Sequence, residues 1–300
     1  MPGLLNMINI TRLTLSHNKI QAVPPGLANL VNLEILNLFN NHITELPISL
    51  SQMPKLRILN VGMNRLDVLP RGFGAFPVLE VLDLTYNNLS EKNLPGNFFM
   101  METLRALYLA DNDFEYLPPE IGQLKNLQIL VLRENDLVEL PKEIGELTRL
   151  RELHIQGNRL TVLPPEIGNL DLVSNKAVFR MEFNPWVTPI GDQLQVGISH
   201  VMDYIRSETY RYVYNRHQSA KGPPPPIEND KNEICTVYGS GTTITTIRNW
   251  FKRFKVDNFD FKDEDCSDRP VTTNTDLIKA MLAENPRYNI QEIIDATNIE

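Results

Sequence analysis

The stretch 79–95, LEVLDLTYNNLSEKNLP, decides the fold. Leu82 and Leu84 alternate with Val81, Asp83 and Thr85, the period-two signature of a short strand with one buried face. Leu79 and Leu89 point into the same interior from the flanking corners. Asn87 carries two donors and an acceptor, so where the strand ladder ends it can satisfy backbone groups of a neighbouring coil. The closing Leu-Pro fixes φ and turns the chain into a return segment.

The same pattern, LxxLxLxxNxL, recurs with its asparagine at Asn18, Asn41, Asn64, Asn87, Asn112, Asn135 and Asn158, spaced 23, 23, 23, 25, 23 and 23 residues apart. A proline follows six residues later in every repeat except the fourth, where the two extra residues put Pro95 eight residues after Asn87. Return segments such as PEIGQL (119–124) and KEIGEL (142–147) supply a loose helical turn. One such unit buries almost nothing by itself, and repetition at this length is the mark of a stacked array. The expected fold is α/β: a leucine-rich-repeat solenoid of seven 23-residue repeats over residues 1–183, its strands stacked at roughly 4.8 Å.

Such an array needs caps. The periodicity breaks at FRMEFNPWVTP, after which Ile190, Leu194, Ile198, Val201 and Ile205 step by three or four, as on an amphipathic helix. Residues 184–217 are therefore read as a C-terminal cap and helix, with Trp186 covering the last coil. The N-terminal end, with only nine residues before Ile10, is expected to be poorly capped.

Composition bounds the function. The 300 residues are 42% hydrophobic and 22% charged, with net charge −8 and no run apolar enough to span a membrane. Acidity argues against a nucleic-acid or membrane role for the whole molecule. The first residues lack a secretory pattern, and only Cys235 and Cys266 occur, which fits a reducing cytosol. The five histidines are scattered, no metal-ligand spacing appears, and neither cysteine has an evident base. No enzyme activity, metal or cofactor is expected.

The strand faces of a solenoid form a concave sheet whose rows can be read from register. The strip expected to bind a partner comprises Ile35, Ile58 and Val81 in one row, then Asn37, Asn60, Asp83, Tyr108, Val131 and His154 in the next. Phe39 and Arg133 belong to a third row, with Met63, Tyr86 and Asp111 just beyond. An apolar and aromatic centre with a polar rim suits protein binding.

Those repeats, the insertion in LEVLDLTYNNLSEKNLPGNFF (79–99), and NPWVTPIGDQLQVGISHVMDYIRSETYRYVYNRH (184–217) resemble the Ras-suppressor family of cytoplasmic leucine-rich-repeat adaptors over about residues 8–217. The resemblance implies binding to the LIM-domain adaptor PINCH, and through it to integrin-linked kinase and parvin at cell–matrix adhesions, with a negative influence on Ras signalling. The chain is expected to be a monomer and, having no apolar run of membrane-spanning length, not to insert into membranes. The family's extension ahead of the first repeat has no counterpart in this sequence.

Residues 218–231, QSAKGPPPPIENDK, read as a Pro-rich linker. Beyond them, over 232–300, Ile244, Ile247, Trp250, Phe251 and Phe254 share one helix face, while Arg248, Lys252 and Lys255, with Arg253 nearby, form a cationic stripe suited to phosphates. This small all-α segment resembles the helix–turn–helix region of mariner-type transposases, without the catalytic domain of that family. Residues 221–300 carry 10 Lys and Arg against 14 Asp and Glu, so only weak DNA contact through Arg248, Lys252, Arg253 and Lys255 is expected.

Overall fold

The computed structural model describes residues 4–220. The expected linker beyond Ala220 and the helix–turn–helix over 232–300, with Arg248, Lys252, Arg253 and Lys255, lie outside the described residues.

Eight three-residue strands stack in chain order into one parallel sheet. They are β1 (Arg12–Thr14), β2 (Ile35–Asn37), β3 (Ile58–Asn60), β4 (Val81–Asp83), β5 (Ala106–Tyr108), β6 (Ile129–Val131), β7 (Glu152–His154) and β8 (Val178–Arg180). The register is uniform: Leu13, Leu36, Leu59, Leu82, Leu107, Leu130, Leu153 and Phe179 are successive partners. From Leu36 to Leu153 these central side chains are fully buried, while the residues on either side face outward. Each return segment forms a short 3₁₀ turn; Pro119–Gln123 and Lys142–Glu146 are each entered by a proline with extended ψ. Gly145 lets these turns close on one another, because a Cβ there would lie 2.4 Å from the Glu166 carbonyl oxygen.

The eighth strand corrects the expectation of seven repeats. In VFRMEFNPW (178–186), Phe179, Met181, Asn184 and Trp186 stand where Leu, Leu, Asn and Leu stand elsewhere. Asn184 Nδ2 donates to the carbonyls of Ile155 (2.9 Å) and Met181 (3.1 Å), and its Oδ1 accepts from Leu160 N (3.1 Å). The periodicity is hard to see because both aliphatics are replaced by bulkier side chains and the asparagine arrives late. The solenoid therefore runs past residue 183 through Trp186. That ring is part of the last coil and donates its indole N–H to Met181 O at 2.9 Å.

The single amphipathic helix expected after Trp186 is three helices, α1 (Thr188–Val196), α2 (Ile198–Arg206) and α3 (Glu208–Ala220). Gly197, at φ 147° and ψ 166°, breaks the first junction in a conformation that L side chains rarely adopt. Ser207 breaks the second: its backbone is extended and its Oγ accepts from Tyr210 N at 3.1 Å, an N-cap for α3. α3 continues three residues into the stretch read as linker. Ile190, Val201 and Ile205 are fully buried, as the periodicity predicts, and so is Tyr210, which it did not single out.

At the other end, Leu5 lies over Gly26 with Ile10, Leu15 and Ile20 only partly buried, and Met7 and Ile8 are about half exposed. Among the described residues this is the thinnest cover in the array.

Candidate protein-binding face

The candidate face is built by strand alternation. Ile35, Ile58 and Val81 are register partners on β2, β3 and β4, and Asn37, Asn60, Asp83, Tyr108, Val131 and His154 form one unbroken row from β2 to β7. Three of these polar side chains also serve their own strand ends. Asn37 Oδ1 accepts from Phe39 N, Asn60 Oδ1 from Gly62 N and Asp83 Oδ1 from Thr85 N, at 2.9–3.0 Å. That leaves the Asn37 and Asn60 amide groups as donors for a partner.

The row just before the buried asparagines has a conformation that sequence reasoning did not foresee. His17, Asn40, Met63, Tyr86, Asp111, Glu134 and Phe183 all have φ between 53° and 58°, and Gly157 has 68°. Left-handed backbone at a non-glycine costs about 1–2 kcal/mol. The recurring turn offsets that cost by continuing the interstrand ladder, as in Met63 N→Thr85 O at 2.7 Å and Tyr86 N→Ala110 O at 2.9 Å. Met63, Tyr86 and Asp111 are thus placed beside the strand row by the turn.

At the centre of the face, Arg133 Nη1 lies 3.0 Å from Asp111 Oδ2, with the guanidinium 5.9 Å from the centre of the Tyr86 ring. Burial opposes the Arg133 charge, but Asp111, Tyr86 and Glu134 together hold its pKa above the ordinary value. Tyr108, one strand from Val131, is half-buried; burial first, then Glu152 and Asp83, raise its pKa, so the phenol stays protonated. Asp111 and Val131 are themselves buried, which leaves Tyr86, Tyr108 and Arg133 as the accessible centre. Phe39 reaches the same face from β2, its ring running over Gly62, where a Cβ would sit 3.2 Å from Phe39 Cδ2, and meeting His17 edge-on at 5.6 Å.

Towards the C-terminal end the face becomes ionic. His154 Nε2 is 3.8 Å from Glu152 Oε2, and Arg180 Nη1 is 3.9 Å from Glu182 Oε1. Burial lowers the His154 pKa, Glu152 opposes that, and Arg180 and Arg133 add to it. Glu152, Arg180 and Glu182 were not among the expected site residues, because two of them belong to the unrecognised eighth coil. Among the described residues, no group of three or more His, Cys, Asp or Glu could hold a metal ion, and no helix is long and apolar enough to cross a membrane.

A one-dimensional stack of strand, buried asparagine and 3₁₀ return defines a leucine-rich-repeat protein. Two family models agree, one described as leucine rich repeat over residues 8–66 and one as leucine-rich repeat region over 67–178. Within that class the chain is similar to Ras suppressor protein 1 of Homo sapiens, 74% identical over 144 residues, which is 48% of this chain and 52% of that protein. The Bos taurus Ras suppressor protein 1 is 76% identical over 143 residues, with the same shares. The chain thus spans about half the length of the curated relatives it matches. The fold is also that of the crystal structure of PEPR1–AtPEP1, at TM-score 0.52 and 28% identity, covering 59% of this chain and 25% of that one.

Proposed function

We propose that the chain is a non-catalytic protein-binding adaptor working through the concave sheet face. The observation that carries this reading is the accessible strip of Tyr86, Tyr108 and Arg133, with Phe39 to one side and charged residues on β7 and β8 to the other. Aromatic rings and an arginine held by neighbours lose little side-chain freedom on binding, which is why such residues anchor interfaces. Similarity to Ras suppressor protein 1 supports the class of partner. The proposed ligand is the LIM-domain adaptor PINCH, bound by a monomer in the cytoplasm at cell–matrix adhesions, with integrin-linked kinase and parvin joined through PINCH and Ras signalling restrained.

The test is capture of the PINCH LIM domains by the full chain and by its Tyr108→Ala, Phe39→Ala double variant. Loss of capture with an unchanged circular-dichroism melting curve is the expected result. Undiminished capture by a folded double variant would overturn the assignment to this strip.

A further inference from the structure

The fourth repeat's two extra residues build a groove that the concave face does not use. It is an open groove of about 510 Å³ between the return segments of the third and fourth repeats, and no strand residue lines it. Val68 is its exposed apolar residue, Pro95 and Gly96 line it from the fourth repeat, and Arg71 and Lys92 provide its charge. Ten residues line it and none of them is acidic. Neither Arg71 nor Lys92 takes part in an ion pair among the described residues. Both cations are exposed, and no acidic side chain lines the groove to balance them.

The wall is also built rather than loose. Ser90 Oγ donates to Asn93 Oδ1 at 3.1 Å, the Asn93 side-chain amide donates to Asp67 O, and Asn93 O accepts from Leu69 N at 3.4 Å. The nearby Glu91 carboxylate is turned towards the next coil, where it accepts from Glu115 N at 3.2 Å. Val68 is 47% exposed beside the two cations, an apolar contact waiting for an aliphatic side chain.

We propose that this groove binds a short acidic segment of a partner protein, an aliphatic residue flanked by carboxylates, independently of the concave sheet. Charge complementarity selects the acidic residues: Arg71 and Lys92 each gain a carboxylate that the chain itself does not supply, while the exposed Val68 packs against the aliphatic side chain. An adaptor with this second surface holds two partners at once, one on the sheet and one on the flank.

The experiment is an amide-resolved NMR titration of the full chain with acetyl-Glu-Gly-Leu-Gly-Glu-amide, alongside acetyl-Gln-Gly-Leu-Gly-Gln-amide and inorganic phosphate. Expected are saturable shifts centred on Gly72, Lys92 and Gly96 with the acidic peptide, at least tenfold weaker binding of the neutral peptide, and weakening with added salt. Arg71→Glu combined with Lys92→Glu should abolish the shifts. Gly96→Leu is the second variant: position 96 lines the groove, and a Cβ there meets nothing within 4 Å, so a bulky side chain is added at the site without straining the fold. It too should abolish binding, with an unchanged spectrum elsewhere. Absence of shifts at millimolar acidic peptide, equal binding of phosphate alone, or binding that survives either folded variant would overturn the proposal.

Discussion

Asn112 has no solvent exposure, and its side chain makes bonds in two directions. Nδ2 donates to Leu84 O in the preceding coil and to Leu109 O and Ala110 O in its own, while Oδ1 accepts from Leu89 N at 3.0 Å. Asn18, in the first coil, is exposed, and its side-chain Nδ2 donates to Leu15 O and Ser16 O of its own coil. Asn112→Ala therefore strands buried backbone groups of two coils and should cost about 2–4 kcal/mol, on the usual 1–3 kcal/mol for each unsatisfied buried group. Asn18→Ala should cost less than about 1 kcal/mol, and urea unfolding of the two variants compares them directly. His154 gives a second residue-scale test. Its folded pKa is lowered, so the unfolded chain, titrating near 6.5, binds the proton more readily. Stability contributed at this site is complete above that value and is lost as pH falls through it towards the lower folded pKa. Urea midpoints from pH 7.5 to 5 should fall more steeply for the parent chain than for His154→Gln; parallel slopes would exclude His154 as the source.

At the scale of elements, what was legible and what was not divides along a physical line. The strands, the buried leucines and the asparagine ladder follow from side-chain periodicity, which local sequence carries in full. The left-handed turns at Met63, Tyr86 and Asp111 were not legible, because the backbone there is set by hydrogen bonds to the next coil and by no glycine signal. Gly197 and Ser207, by contrast, did signal their breaks. The three- and four-residue spacing from Ile190 to Ile205 runs across Gly197 and concealed the first break, while Ser207 lies beyond the last residue of that spacing. Tyr210 was equally hidden, as its role depends on a partner 47 residues away. Its hydroxyl accepts from Leu163 N at 2.9 Å and donates to Leu163 O, so the ring ties α3 to the seventh coil. Burial raises its pKa well above the usual tyrosine value, keeping the donor proton in place. Tyr210→Phe keeps the packing against Tyr204 and Tyr214 but orphans both Leu163 groups. A loss of about 1–3 kcal/mol is expected by thermal or urea unfolding.

The described residues form a stack whose two ends differ. In the middle, Leu82, Leu107 and Leu130 are fully buried, and at the C-terminal end Met181 is too, in the same core cluster as Ile190, Val201, Ile205 and Tyr210 of the helices. At the N-terminal end Leu13 keeps 8% of its surface, Ile10, Leu15 and Ile20 are only partly covered, and β1 has a strand on one side alone. In an array held by neighbour contacts, stability grades from one end to the other, and opening spreads inward from the weaker end. Amide hydrogen exchange on the full chain should therefore give least protection to β1, intermediate protection to β2, and most to β4 through β7. Leu107→Ala, expected to cost about 2–5 kcal/mol, sharpens the test because it weakens two interfaces in the middle of the stack. If the repeats are coupled only to neighbours, protection in that variant falls most at β4, β5 and β6, while β7, β8 and the helices retain more of theirs. A uniform fall across all eight strands would instead mean that the stack opens as a single cooperative unit, and the graded description would have to be abandoned.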